Sequence, residues 1–152
     1  MASRMLLIVG SCEPLYEAEF TQSNAPKQSE ETAHLNQFIL HSAMDMVDMA
    51  MEEKADMCAR ARDLSRRDER RRRYLRIVDK FNDQNVFAYV TAGQVKFLLL
   101  HEGRNEDAVR NFFLEVHELY VKLVMNPFYE HDTPITSPTF DRAVHALARR
   151  HL

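Results

Sequence analysis

Glycine is scarce in this 152-residue chain: Gly10, Gly93 and Gly103 are the only three, and they lie far apart. A phosphate-cradling loop needs glycines close together so that backbone N–H groups can approach the phosphate. The shortage argues against a nucleotide-binding enzyme. Cysteine is scarce too. Cys12 and Cys58 cannot build a disulfide scaffold, and their separation gives no zinc clip. Long apolar runs are missing. Met5–Val9 is too short for a signal-peptide core or a membrane span, and Glu13 follows closely. The expectation is a reduced, cytosolic protein that meets membranes only through partners or surface charge. A large charge excess is missing as well. The net charge of −3 exerts no strong pull toward nucleic acid or anionic lipid.

What is present reads as an ordinary globular chain, with 45% hydrophobic and 28% charged residues. The length fits one domain over residues 1–152, large enough for a proper core. Arg4–Gly10 (RMLLIVG) is apolar without alternation, which predicts a strand buried on both faces. A turn at Gly10–Pro14 leads to Leu15–Phe20. There Leu15, Glu17 and Glu19 share a wet face opposite Tyr16, Ala18 and Phe20, the pattern of an edge strand. Tyr74–Phe81 is a second, partly alternating strand, followed by a turn cluster at Asn82–Asn85. Val86–Thr91 and Val95–Leu100 are apolar almost throughout and are joined tightly through Ala92-Gly93-Gln94. The two strands with polar faces read as edges and the other three as central. Only one order satisfies both hairpin connections: 2-1-5-4-3. Central strands buried on both faces need helices on both faces.

Three helices are available. Ser29 suits an N-cap, with Glu30 and Glu31 in the first turn of a helix running to about Met57. Asn105 caps a second, whose stripe is Val109, Phe112, Phe113, Val116, Tyr120, Leu123 and Val124, ending at Asn126-Pro127. Ser137-Pro138 opens a third, which buries Phe140, Val144 and Leu147 and ends in Arg149-Arg150-His151. The fold class is therefore α+β, with the first helix on one face of an antiparallel sheet and two C-terminal helices on the other.

The first helix has more apolar surface than one contact requires. Leu35, Phe38, Ile39, Ser42, Met46 and Met49 form one stripe; Leu40, Ala43, Val47 and Met51 form a second. One stripe suffices to hold a sheet, so the other meets the rest of the fold or a partner. Asp45 and Asp48, three apart, share nearly one line. They read either as solvated acids on a wide core helix or as part of a partner surface. Asp45, Asp48, Leu40, Val47 and Met51 are the candidate partner-binding residues.

No catalytic, metal or cofactor site emerges. The zinc-protease spacing fails at both His101-Glu102 and His117-Glu118, where Asn105 and Val121 stand at the fifth position. His34 and His41 are too far apart on a helix to hold one ion without a third ligand. No serine or cysteine lies in a glycine-flanked elbow. Met125–Tyr129 (MNPFY) predicts a turn whose aromatic pair tucks back onto the fold. Cys58–Arg73 carries eight arginines with Asp63, Asp68 and Glu69 between them and one large apolar residue, Leu64. It reads as an exposed extension of the helix or as a loop. An alternative function rests on it, as a nucleic-acid or anionic-surface contact. The interleaved acids and the lack of stacking aromatics before Tyr74 count against that, and nucleic acid is not an expected partner.

Several stretches together resemble a known family. They are His34-Leu35-Asn36-Gln37-Phe38-Ile39, Asp45-Met46-Val47-Asp48, Val78-Asp79-Lys80-Phe81-Asn82 and Val90-Thr91-Ala92-Gly93. Leu100-His101, Glu106-Asp107, Asn111-Phe112-Phe113, Met125-Asn126-Pro127-Phe128-Tyr129-Glu130 and Phe140-Asp141-Arg142 continue the match. Nearly the whole chain, in order, is similar to the sedlin family of small TRAPP-complex subunits. The first run separates it from the sedlin-like paralogue, which lacks it. The resemblance implies a longin (SNARE-like, profilin-like) fold and a non-catalytic role in a vesicle-tethering assembly that promotes nucleotide exchange on Rab GTPases in ER-to-Golgi and Golgi traffic. It implies other small TRAPP subunits and large peripheral ones as partners, and membranes only through the complex. By position, Asp45 matches an aspartate that the family uses at a partner surface. Cys58–Arg73 is an insertion the family does not usually carry, and the resemblance implies no role for it.

Overall fold

The computed structural model describes residues 4–10, 13–20, 30–60, 74–81, 83–91, 95–103, 105–130 and 133–152, without side chains at 32–33 and 53–60. Five strands form: β1 (Arg4–Val9), β2 (Pro14–Phe20), β3 (Tyr74–Phe81), β4 (Gln84–Val90) and β5 (Lys96–His101). Among the described residues three helices accompany them: α1 (Glu30–Arg60), α2 (Glu106–Val124) and α3 (Pro138–His151). The sheet is antiparallel in the order β2-β1-β5-β4-β3, as the strand polarity implied. The arrangement is a longin-like α+β fold.

Period-2 alternation divides the central strands between two cores. Leu6, Ile8, Phe87, Tyr89, Phe97 and Leu99 point toward α2 and α3. Met5, Leu7, Val9, Val86, Ala88, Val90, Leu98 and Leu100 point toward α1. The helical signals act where expected. The Asn105 side chain accepts from Ala108 N–H, and the Ser137 side chain accepts from Phe140 N–H with Pro138 in the first turn. At the β4–β5 hairpin, Thr91 N–H donates to the Val95 carbonyl at 2.9 Å, and Val95 N–H donates to Thr91 Oγ1 at 3.1 Å.

Bulges change two faces that alternation alone predicts. In β2, Tyr16 pairs with Ile8 and Pro14 with Val9, so Leu15 is the extra residue. It therefore joins Tyr16, Ala18 and Phe20 in the α2/α3 core and leaves Glu17 and Glu19 exposed. Its carbonyl accepts from Ile135 N–H at 2.8 Å. In β3, Arg76 adopts a φ of 64°, and the register shifts between Tyr74 and Arg76 and again between Ile77 and Asp79. Tyr74 and Ile77, three residues apart, consequently pack on the same core. β4 begins at Gln84, so Gln84 and Asn85 belong to a strand and not to a turn.

Two further expectations need correcting. Phe128 does not tuck back: it is 93% exposed, while Tyr129 is half-buried and donates its hydroxyl to the Thr133 carbonyl. The first helix runs past Met57 to Arg60. Ser29, Cys12, Ala92-Gly93-Gln94 and the Cys58–Arg73 stretch beyond Arg60 lie outside the described residues.

Candidate interaction surface

α1 lies over β3, β4 and β5. It meets them through Ile39, Leu40, Ala43 and Val47, with Met44, Ala50 and Met51 at the margin. Ala43 stands between Ile39 and Val47 and keeps the contact close. Three of the expected partner residues belong to this contact. Leu40 and Val47 have no exposed surface, and Met51 is half-buried at the edge of the same cluster. A side chain fully enclosed by its own sheet cannot contact another chain.

The stripe that faces outward is the other one. Leu35 (45% exposed), Phe38 (68%), Met46 (45%) and Met49 (59%) recur at helical spacing, with exposed Ser42 among them. Only Ile39 of that stripe turns inward. A helical wheel already held the distinguishing signal. The inner stripe has no charged residue within it, whereas Asp45 lies beside the outer one. Four large side chains with about half their surface in water offer roughly 3–6 kcal/mol to whatever covers them. Scattered single apolar residues are normal on a surface, but a contiguous row is the mark of an interaction site.

The two aspartates separate. Asp45 is exposed. Asp48 makes an ion pair with Lys96 of β5, which ties that side of α1 to the sheet. About three helical turns further toward the N-terminus, Gln37 donates from Nε2 to Glu17 of β2 at 3.1 Å.

A model of the family described as Sedlin matches residues 8–150. The chain belongs to the sedlin family. It is 35% identical over 153 residues to a Drosophila melanogaster protein described as a probable trafficking protein particle complex subunit 2, covering all of this chain and 99% of the relative. A Caenorhabditis elegans protein of the same description is 37% identical over 147 residues, covering 95% and 93% of the two chains. The Schizosaccharomyces pombe transport protein particle 20 kDa subunit is 36% identical over 146 residues, covering 95% and 96%.

In this sedlin-family chain a second apolar group went unrecognised in the sequence. Val121, Met125 and Phe128 project at the end of α2, with Phe128 almost fully exposed. The MNPFY stretch follows directly on the end of α2. His101 is the one buried histidine among the described residues. Burial, with Arg4 adding to it, pushes its pKa below the usual value, so the ring stays neutral at neutral pH. Gly103 lies against that ring, where a Cβ would come within 2.3 Å of Nε2. Among the described residues no cluster of three or more His, Cys, Asp or Glu side chains could hold a metal ion. No described helix is long and apolar enough to cross a membrane.

Proposed function

We propose that this chain is a non-catalytic adaptor subunit of a trafficking protein particle complex, working as one domain over residues 1–152. In this reading it joins small TRAPP subunits to large peripheral ones, and the assembly promotes nucleotide exchange on Rab GTPases in ER-to-Golgi and Golgi traffic. The chain itself is cytoplasmic and reaches those membranes through the complex. The observation that carries the reading is the outward apolar stripe of α1 on a chain similar to subunits of such particles along its whole length. The partner surface consists of Leu35, Phe38, Met46 and Met49 with Asp45 beside them; Asp48 stands on its flank, paired with Lys96, and Leu40, Val47 and Met51 support it from the sheet side.

Affinity capture of the tagged chain from cytosol tests this. Wild type should recover other small TRAPP subunits and a large one. Asp45→Tyr, and separately Phe38→Ser with Met49→Ser, should leave folding intact and weaken recovery of the large subunits. Undiminished recovery by both variants would remove this surface from the reading. Recovery of no TRAPP subunit by wild type would end the reading itself.

A further inference from the structure

The outer face of α1 is charged on one side only. Residues 30–52 contain Glu30, Glu31, Asp45, Asp48 and Glu52 and not one lysine or arginine. Asp45, Asp48 and Glu52 succeed one another at three- and four-residue spacing and so form a row along one flank of the apolar stripe. The flank's direction is fixed by two contacts: Gln37 reaches Glu17 of β2, and Asp48 reaches Lys96 of β5. The row therefore looks toward the β2 edge. There Glu17 and Glu19 pair with Leu7 and Met5, and cross-strand partners share a face, so both glutamates stand on the α1 side of the sheet. A recess of about 200 Å³, lined by Met5, Glu17, Ala18, Glu19 and Gln37, separates strand from helix. Lys96 is the cation found on this flank among the described residues, and Asp48 already holds it.

We propose that the segment seated on α1 is a basic amphipathic helix: apolar side chains on Leu35, Phe38, Met46 and Met49, and lysine or arginine along Asp45, Glu52, Glu17 and Glu19. The inference rests on the adaptor reading and specifies the chemistry of its partner. An apolar stripe alone accepts any amphipathic segment. A one-signed flank selects the basic ones, speeds their encounter and repels acidic ones. From Leu35 to Met49 the stripe spans about 21 Å at a helical rise of about 1.5 Å per residue, or about four turns of a docked helix. Helices docked in this way are read as anchors at i, i+3, i+4 and i+7.

The test uses the full chain and three labelled 18-residue peptides, followed by fluorescence anisotropy. One is an amphipathic Leu/Lys helix, one is its Leu/Glu counterpart, and one has the Leu/Lys composition scrambled so that no face is apolar. The Leu/Lys helix should bind best. Its affinity should fall on the order of tenfold in Asp45→Lys with Glu52→Lys, and again in Glu17→Lys with Glu19→Lys, and should weaken steeply from about 0.05 to 0.5 M salt. Phe38→Ser with Met49→Ser should lose binding while circular dichroism stays unchanged. Equal binding of the Leu/Glu or scrambled peptide, or indifference to the lysine variants, overturns the proposal. Capture of TRAPP subunits that the serine variants abolish and the lysine variants spare would sink this inference and leave the adaptor reading standing.

Discussion

The two faces of the sheet are covered by different means. On one, α2 and α3 pack on each other as well as on the sheet. They enclose an aromatic core: Tyr89 stacks on Phe97 and Phe113, Phe20 meets Phe112 edge-on, and Tyr16 meets Phe140 edge-on. Tyr16 also donates its hydroxyl to Asp141 at 2.6 Å, which joins the β2 edge to α3. On the other face, among the described residues, a single helix rests on aliphatic side chains, with Ala43 at the contact. Paired helices cover each other's flanks. Among the described residues nothing covers the outer side of α1, and Leu35, Phe38, Met46 and Met49 there stand in water. The same sheet is thus enclosed on one face by paired helices, while on the other the outer side of α1 keeps large apolar side chains exposed.

The sharpest way to break that contrast is at the aromatic core. Phe113→Ala should destabilise the fold by about 3–5 kcal/mol, because the ring is fully enclosed and the site cannot collapse around the gap. Urea denaturation measures it, and a loss below about 1 kcal/mol would mean the two faces do not differ as described.

The contrast within α1 comes next. Leu40→Ala should cost about 2–5 kcal/mol, whereas Leu35→Ala, on the outer stripe, should cost well under half as much. If both cost the same in the isolated chain, α1 is not oriented as found.

A smaller effect is expected from pH. Burial holds the His101 pKa in the folded chain below its ordinary value of 6.5. The unfolded chain therefore binds the proton more readily, and stability, fully present above about pH 6.5, falls as the pH drops below it. The slope from one proton is at most about 1.4 kcal/mol per pH unit. Chemical denaturation at pH 7.5 and pH 5.5 should show the loss, and His101→Gln should flatten it. A variant with the wild-type slope would place the acid sensitivity elsewhere.

The smallest change belongs to Phe128→Ala, expected within about 0.5 kcal/mol of wild type, since so little of the ring is covered. A larger loss in thermal unfolding would show that the ring packs onto the fold in solution.

Much of the architecture was legible in the residues. The strand order followed from which segments were apolar on both sides, because a strand with a polar face can only be an edge. The starts of α2 and α3 followed from Asn105 and Ser137-Pro138, whose side chains satisfy backbone donors locally. The site was half legible. Two apolar stripes on α1 signal a helix with two contacts, but periodicity does not say which stripe meets the sheet, and Leu40, Val47 and Met51 pack against it.

Local chemistry therefore determined the elements, their caps, the strand order and the surplus of apolar surface on α1. All of these depend on neighbours within a few residues or on simple periodicity. The tertiary structure alone decided which stripe of α1 faces inward, where the bulges at Leu15, Leu75 and Val78 turn side chains over, and that Phe128 stands in water. Hydrophobicity fixes how much surface must be buried, but not against what. That choice depends on shape, on how closely Ala43 lets the helix approach, and on contacts such as Asp48 with Lys96 that join residues far apart in the chain.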